Sequence, residues 1–255
     1  MPAALQSRNG VTRIGIIGAG RIAQAIMASI RSGEAGACEV SAVLARRIVE
    51  RSDLEPLLTT DREAFLATRP DLIIEAAGPA ALTEHGVAAI AVTDIWSISA
   101  MALADRDFAA AVEAAGKRSG HRLRLVGGAV AGLDAAAIAA RDPNAKIRFE
   151  AITDGASDGA PNFEGSTREA VATLHGVNVV AAAAIAGTGF DATTLKFFDR
   201  KPGARRYFNI HIESTVGLYM MSSSPNLSPT QGATAVVAAS VVTALVQAQQ
   251  TVWAG

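Results

Sequence analysis

The sequence predicts an α/β protein: an N-terminal, doubly wound parallel sheet of the Rossmann type, followed by a second, α+β domain. Up to about residue 140, apolar β-type runs alternate with alanine-rich helical stretches, a pattern typical of βαβ units. From Asp142 onward β-rich segments predominate, which indicates a second domain. The 255 residues, 50% of them hydrophobic, are enough to build two cores. We expect one domain over residues 1–125 and another over residues 126–231.

Each element of the first domain corresponds to one apolar run or to one alanine-rich stretch between two runs. Strands are expected over residues 13–17, 39–45, 71–75, 92–97 and 122–126. Helices are expected over residues 21–32, 62–68, 79–89 and 105–119. The final apolar stretch is long enough for a helix that returns to pack on the first domain, so we expect residues 232–255 to complete that domain.

The second domain is predicted to contain four strands and two helices. The strands are expected over residues 146–153, 194–199, 207–213 and 217–222. Ser166 opens one helix, with Glu169 at capping-box spacing, and the other helix is expected over residues 177–186. Serines and prolines predict a loop over residues 222–229.

Composition excludes several classes of function. The formal net charge is −1 and both signs are evenly spread, so no nucleic-acid or membrane-attracted face is expected. The single cysteine, Cys38, excludes an internal disulfide and a multi-cysteine metal site, and we expect it to be an inert core residue. No apolar stretch reaches the ~18 residues of a membrane span, and residues 1–9 lack the apolar segment of a secretory signal. We therefore expect a cytoplasmic protein, without a metal, that acts on a small molecule.

A glycine-rich turn follows the first predicted strand. Gly18, Gly20 and Ala23 form a G-x-G-x-x-A pattern at the start of a predicted helix. In such a turn the first glycine permits the tight bend, the second lets the backbone approach a pyrophosphate, and the small third residue allows close helix packing. The first helical residues, Arg21 and Ile22, then offer amides to the anion. We predict an NAD or NADP site here, the alternative being a purely structural turn.

The end of the second strand bears on the choice between NAD and NADP. An NAD site usually has an acidic residue at this point, where the chain has Arg46 and Arg47. An arginine there can pair with the 2′-phosphate of NADP or stack on adenine, so Arg46 is predicted to contact the cofactor and both cofactors stay open. A solvated arginine pair is the alternative.

Small residues follow another strand on the same sheet edge. Glu75 ends this strand, and Ala76, Ala77 and Gly78 come directly after it. Because ligands of open α/β sheets bind at this edge, we expect the backbone of these three residues to lie along the cofactor. Glu75 itself is either a functional carboxylate or a polar strand end.

One histidine has surroundings that favour a catalytic role. Over residues 207–213 apolar and polar side chains alternate, which places Asn209 and His211 on one face of a strand. An imidazole ordinarily titrates near pH ~6.5 and suits a general base. The alternative is a water-facing strand. The histidines His85 and His121 are expected to be solvated.

The chain resembles the L-aspartate dehydrogenase family over nearly its whole length, from the Gly18 turn to the last helix. The order and approximate spacing of several segments carry this resemblance. They are residues 75–78, 102–105, 128–134, 163–170, 178–182 and 209–211. The resemblance implies an NAD(P)-dependent oxidoreductase that oxidises L-aspartate to iminoaspartate, which hydrolyses to oxaloacetate and ammonia. It also implies a homodimer.

The resemblance also implies roles for individual residues. His211 matches the active-site histidine of the family, with Asn209 beside it. Ala129 and Asn178 match positions that contact the dinucleotide. A close-packed turn is the alternative for Ala129, and a helix-capping amide is the alternative for Asn178.

The chain departs from the family near the expected substrate pocket. Where the family has Pro-Lys-Asn ahead of Asn178, this chain has Leu-His-Gly at residues 174–176, and a second family lysine is absent from residues 228–232. A dicarboxylate needs cationic partners, for which Arg168 and His175 are the first candidates. Three further cations are possible: Lys196, Arg205 and Arg206. A dehydrogenase of another small carboxylate, or a non-catalytic dinucleotide-binding sensor, therefore stays open.

Overall fold

The computed structural model describes residues 10–48, 57–153, 160–199, 205–226 and 232–252. The chain divides into two units. One consists of residues 1–126 together with residues 237–255, and the other of residues 127–236.

The first unit is built on a six-stranded parallel sheet. Its strands are β1 (Thr12–Ile17), β2 (Cys38–Leu44), β3 (Leu58–Thr59), β4 (Leu72–Glu75), β5 (Ile95–Ser97) and β6 (Leu123–Leu125). They lie in the order β3-β2-β1-β4-β5-β6, and every neighbouring pair is parallel. The order reverses between β1 and β4, which is the point where open sheets of this kind bind ligands beyond the carboxyl ends of their strands. The predicted Rossmann-type fold class is confirmed.

Helices cover both faces of this sheet. They are α1 (Arg21–Arg31), α2 (Arg62–Ala67), α3 (Pro79–Ile90) and α4 (Arg106–Ser119), with a 3₁₀ helix at Ala100–Ala104. Because strand side chains alternate, Ile16 and Ile74 enter the apolar cluster that contains α1, whereas Ile17 and Ile73 enter the cluster that contains α3 and α4. Each fully buried isoleucine contributes roughly 1.5–3 kcal/mol, so β1 and β4 anchor both cores.

The second unit contains a five-stranded mixed sheet and three helices. The strands are β7 (Lys146–Thr153), β8 (Phe163–Ser166), β9 (Thr194–Phe197), β10 (Arg206–Ser214) and β11 (Gly217–Ser223), in the order β11-β10-β7-β9-β8. β7 and β9 are parallel, and the other neighbours are antiparallel. The helices are α5 (Leu133–Ala139), α6 (Thr167–Thr173) and α7 (Asn178–Ala186).

The two faces of this sheet differ in chemistry. Phe149, Leu195, Ile210 and Ile212 are buried on one face. Helices α5 and α7 lie on that side, since Gly187 at the end of α7 contacts Ile147, which shares that face. The opposite face consists mainly of polar side chains, contributed by alternate residues of the same strands. For β10, this alternation is the one that the sequence predicts over residues 207–213.

The C-terminal helix α8 (Thr234–Gln249) contributes to the core of the first unit. Ala238, Val241, Ala244 and Leu245 lie in the same apolar cluster as α1. The side-chain amide of Gln249 also donates to the carbonyl of Ala35 at 2.8 Å. The first unit therefore depends on residues from both ends of the chain.

Most predicted elements are present, and the differences are local. β3, β8 and α5 were not predicted, because they are short: Leu58–Thr59, Phe163–Ser166 and Leu133–Ala139. β11 includes Ser222, the last residue of the predicted strand, and extends by Ser223 into the predicted 222–229 loop. Residues 224–226 are in neither a helix nor a strand, and the rest of that predicted loop lies outside the described residues. Ser166 and Glu169 form the predicted capping box, with both reciprocal hydrogen bonds.

Among the residues that the model describes, no helix has the length and apolar character needed to cross a membrane.

Candidate active site

The turn after β1 requires glycine at its first position. Gly18 has a φ of +121°, which side-chain-bearing residues rarely adopt, and its amide donates to the carbonyl of Leu44 at 2.8 Å. A Cβ at Gly18 would lie 3.0 Å from the carbonyl oxygen of Ala76. The turn therefore lies directly against the residues that follow β4.

Gly20 is a glycine for a different reason. Its φ of −77° suits any residue, and a Cβ built on it would meet nothing within 4 Å. Gly20 is the N-cap of α1, which has no side-chain capping bond and no acidic residue in its first turn. The amides of Arg21 and Ile22 follow directly. An anion thus has room at Gly20 and partial positive charge beside it, which fits a pyrophosphate.

Close packing holds this helix end in place. Ala23 is fully buried, as expected for the small residue that lets α1 approach the sheet. The Gln24 side chain donates to the carbonyl of Ala19 at 2.8 Å and so braces the turn from within.

Arg46 and Arg47 lie directly beyond β2, after the buried Ala45. Both are exposed, and within the described ranges neither has a hydrogen bond or an ion pair. The position holds no acidic residue for a ribose hydroxyl. It is thus open to either cofactor, as the sequence predicts, and Arg46 stays a predicted contact.

Glu75 is fully buried and organises the turn after β4. Its Oε1 accepts hydrogen bonds from the amides of Ala77 at 2.7 Å and Gly78 at 2.8 Å, and its Oε2 accepts one from Ser97 Oγ at 2.5 Å. These bonds use both carboxylate oxygens. Of the two interpretations from sequence, the geometry favours a structural carboxylate, which shapes the backbone from Ala76 to Gly78 beside Gly18.

His211 lies on β10 between two buried residues, Ile210 and Ile212, and points to the polar face of the second sheet. Its Nε2 is 3.3 Å from Oε2 of Glu150 on β7, and the two side chains are 22% and 25% exposed. Glu150 Oε1 in turn lies 3.7 Å from Nε of Arg148. A histidine, a carboxylate and a guanidinium are therefore neighbours on one half-open surface.

Strand register explains this arrangement. In the antiparallel pairing of β10 with β7, Asn209 is opposite Glu150, and His211 is opposite Arg148. On the other side of β10, His211 is opposite Met220 of β11, whose side chain is 68% exposed. Asn209 and His211 therefore share their face with a charged pair on one side and an apolar edge on the other.

Sequence reasoning did not identify Glu150 or Arg148. The alternation of β7 was visible, since Arg148 and Glu150 alternate with the apolar Ile147, Phe149 and Ala151. This alternation does not indicate which strand pairs with β7, because Glu150 and His211 are 61 positions apart in the sequence.

The two cations proposed for substrate are located elsewhere in the second unit. Arg168 makes a two-pronged ion pair with Asp191, through Nε to Oδ1 and Nη2 to Oδ2 at 2.5 and 3.0 Å. These hydrogen bonds raise the pKa of the Arg168 guanidinium. His175 is exposed between α6 and α7. The ion pair with Asp191 gives Arg168 a structural function. Its role in substrate binding stays a prediction.

Ala129 and Asn178 also lie in the second unit. Ala129 is buried in the segment before α5, and its carbonyl accepts a 3.4 Å hydrogen bond from Ser223 Oγ. Asn178 is the first residue of α7, whose N-cap is Val177. Asn178 is thus inside the helix rather than at the capping position, although the alternative from sequence made it a helix cap.

The two histidines of the first unit differ in their surroundings. His121 Nδ1 lies 3.5 Å from Asp94, whereas His85 is largely covered and its buried Nδ1 has no hydrogen bond among the described residues. His85 is therefore less solvated than expected for a surface helix.

Burial raises the pKa of the Cys38 thiol, which agrees with an inert cysteine.

Two family models match the chain. One, described as "Homoserine dehydrogenase, NAD binding domain", matches residues 18–126. The other, described as "Aspartate dehydrogenase, C-terminal", matches residues 134–249.

Curated relatives match along most of the chain. It is 31% identical over 230 residues to L-aspartate dehydrogenase 2 of Bordetella pertussis, covering 80% of this chain and 84% of the relative. It is 32% identical over 227 residues to an L-aspartate dehydrogenase of Ruegeria pomeroyi, covering 81% of this chain and 80% of the relative.

Solved structures have a similar fold. The aspartate dehydrogenase of Thermotoga maritima superposes with a TM-score of 0.74 at 20% identity, over 96% of this chain and 99% of that chain. A hyperthermophilic archaeal homoserine dehydrogenase in complex with NADPH superposes with a TM-score of 0.57 at 12% identity, over 93% of this chain and 97% of that chain. At these identities the similarity concerns the fold.

Proposed function

The chain belongs to the L-aspartate dehydrogenase family, and we propose that it oxidises L-aspartate to iminoaspartate with NAD or NADP. Hydrolysis of iminoaspartate then releases oxaloacetate and ammonia. The observation that carries this proposal is the identity of 31% and 32% with two L-aspartate dehydrogenases over about four-fifths of the chain. The open, uncapped helix end at Gly20 supports the cofactor.

The first unit supplies the groups that would hold the dinucleotide. The turn through Gly18 and Gly20, with the amides of Arg21 and Ile22, is suited to the pyrophosphate. Arg46 is suited to the adenosine ribose or its 2′-phosphate, and the backbone of Ala76, Ala77 and Gly78 is suited to line the site. Ala129 and Asn178 are proposed as further contacts from the second unit. A dinucleotide held by these residues would supply the hydride acceptor for the oxidation at the substrate Cα.

His211 is the proposed general base. An ionised carboxylate can only accept hydrogen bonds, so the contact between Glu150 and His211 Nε2 favours the tautomer with its proton on Nε2. The lone pair is then on Nδ1, which can take a proton from the substrate amine or from the hydrolytic water. Asn209, on the same face, is proposed to hold the substrate by its side-chain amide.

Glu150 stabilises the charge that His211 acquires. As Nδ1 takes a proton, the imidazole becomes cationic while its Nε2–H still points at a carboxylate 3.3 Å away. A base oriented by a third group is a recurrent arrangement in catalytic sites. The pair therefore supports a catalytic rather than a solvent-facing interpretation of this strand.

We also propose a division of labour between the two parts of the chain. Residues 1–125 with 232–255 would form the dinucleotide-binding domain, and residues 126–231 the substrate and dimerisation domain. A homodimer is supported by the edge strand β11, which exposes the apolar Leu218 and Met220 (66% and 68%), with Val216 directly before it (55%). The single cysteine fits a reducing compartment, and we propose a cytoplasmic location.

The test is absorbance of the reduced nicotinamide. Purified protein with L-aspartate and either NAD or NADP is expected to form reduced cofactor, and oxaloacetate with ammonium is expected to consume it. Malate and glutamate serve as control substrates and are expected to give little reaction. Comparing NAD with NADP determines the preference that Arg46 leaves open.

A second candidate is a dehydrogenase of another small carboxylate. It is favoured by one observation, the commitment of Arg168 to Asp191, because this leaves a proposed dicarboxylate cation already paired. Turnover of a different amino or hydroxy acid, with none of aspartate, would select this alternative. Cofactor binding without any turnover would instead indicate a non-catalytic sensor.

A further inference from the structure

L-Aspartate brings two carboxylates to the site, and at least one of them must be held for the Cα–H bond to be oriented. A guanidinium is suited to this because it binds a carboxylate through two parallel N–H groups. The residue has to lie close to His211, since the substrate amine is attached to the same carbon as one of the carboxylates.

Arg148 has that position. It is directly opposite His211 in the ladder between β7 and β10, and opposite residues of an antiparallel pair have Cβ atoms about 5 Å apart. Both side chains point to the polar face of the sheet. That of Arg148 is 46% exposed, so it is accessible from solvent.

Arg148 is also available. Among the described residues its one ion-pair partner is Glu150, and the Nε to Oε1 distance of 3.7 Å is longer than a hydrogen bond. Within that same part of the chain, its terminal amino groups donate no hydrogen bond. The outer edge of the guanidinium can therefore bind a carboxylate while Nε stays near Glu150.

Four other cations of the second unit that the sequence suggested or offered as candidates are paired or distant. Arg206 is buried and donates to the carbonyls of Ala151 and Phe198 at 3.0 and 2.7 Å. Lys196 lies 3.1 Å from Glu164, and Arg168 is paired with Asp191. Arg205 precedes β10, six positions and so roughly 20 Å of extended strand from His211.

The carboxylates near Arg148 each already face a basic side chain. Glu150 uses one oxygen toward His211 and the other toward Arg148, which orients both groups. Farther along the face, Glu213 of β10 is opposite Lys146 of β7. On the other side of His211, Met220 of β11 borders the face with an apolar side chain.

We propose that Arg148 binds a carboxylate of the substrate beside His211, an inference that rests on the proposed function. It would replace the cations that the family has near Asn178 and near the C-terminus. Arg148 would act in binding, with His211 acting on the proton.

The test compares Arg148→Gln with Lys146→Gln. Both variants remove one positive charge from the same face of β7, but only Arg148 is opposite His211. Arg148→Gln is expected to raise KM for L-aspartate about 10- to 100-fold, the size expected for charge-assisted hydrogen bonds, with kcat within about 3-fold. Arg148→Lys keeps the positive charge but loses the two parallel N–H groups, so its KM should lie between those of the wild type and Arg148→Gln.

Succinate gives an independent readout, because it has two carboxylates and no amine. Its inhibition constant should rise in Arg148→Gln by the same factor as KM, and stay at the wild-type value in Lys146→Gln. Unchanged KM and inhibition constant in Arg148→Gln, or equal losses in both variants, would overturn the proposal. Circular dichroism and thermal unfolding check that the exposed substitutions leave the fold intact.

Failure of the proposed function gives a different result. If the wild-type protein turns over no L-aspartate with either cofactor, that function is refuted, and calorimetric titration of the cofactor-loaded protein with succinate still tests Arg148. Binding that is lost in Arg148→Gln and kept in Lys146→Gln supports a dicarboxylate site. No binding to the wild type, or equal binding to all variants, overturns it.

Discussion

The turn after β1 and the polar face of the second sheet are organised in opposite ways. Gly18, Gly20 and Ala23 lie within six positions of one another, and each performs its role through its own backbone conformation or size. Glu150 and His211 are 61 positions apart and meet only because β7 and β10 pair in one register. A local site is therefore visible in the sequence, whereas an assembled site becomes visible once strand pairing is known.

The largest expected effect tests the assembled site. His211→Ala removes the proposed base and is expected to lower kcat by about 10²- to 10⁴-fold while leaving cofactor affinity unchanged. Steady-state kinetics and a fluorescence titration with reduced cofactor measure the two quantities. Glu213→Ala, an exposed change on the same strand face, is the matched control. Full activity of His211→Ala would show that His211 is not the catalytic base.

The next effect tests the local site with two glycines. At Gly20 the backbone suits any residue and a Cβ meets nothing, so Gly20→Val should fold normally yet weaken cofactor binding at least ~10-fold by occupying the anion position. At Gly18, with φ at +121° and Ala76 in contact, valine should instead destabilise the fold by about 1–3 kcal/mol. Thermal unfolding without cofactor, beside the titration, separates the outcomes. Wild-type affinity in Gly20→Val would contradict the pyrophosphate assignment.

A smaller effect is expected where the assembled site depends on its orienting group. Glu150→Gln should lower kcat about 10-fold, well below the loss for a buried carboxylate behind a histidine, since water reaches a side chain that is 25% exposed. Nitrogen NMR of His211 should report a change in its tautomer. Glu164→Gln removes another carboxylate of the same sheet, one paired with Lys196, and should leave both readouts unchanged. Equal effects of the two variants would mean that Glu150 acts only through its negative charge and does not orient His211.

The smallest effect concerns a local motif inside the second unit. Ser166→Ala removes the cap of α6 and should lower Tm by about 2–4 °C at neutral pH. Hydrogen bonds from Ser166 to Glu169 lower the pKa of that carboxyl in the folded state. Its contribution is therefore present above the ordinary glutamate value near ~4.3 and is lost as the pH falls through the lower folded value.

The pH dependence supplies the check on that interpretation. The Tm difference between wild type and Ser166→Ala should shrink between pH 7 and pH 3, as differential scanning calorimetry can measure. A difference that stays constant over this range would mean that the hydrogen bond from the Ser166 hydroxyl to the Glu169 carboxylate contributes no stability.

Much of the fold follows from patterns within single segments. The parallel strands β1, β4 and β5 and the helices between them appear as apolar runs and alanine-rich stretches, because burial on two faces demands such runs. Short elements such as β3 and α5 could not be predicted, because the two residues of β3 and the seven of α5 are too few to show a hydrophobic period. Likewise Glu75 was visible as a polar strand end, but not its bonds to Ser97 of the neighbouring strand.

By itself the sequence determined the fold class, the dinucleotide turn and the strand face of His211, because each depends on residues that are close in the chain. Only the tertiary structure decided which side chains stand beside His211. The register between β7 and β10 places Arg148 and Glu150 beside His211. Arg168, in contrast, forms an ion pair with Asp191. Contacts between distant segments are selected by the packing of whole strands, and no local pattern specifies that choice.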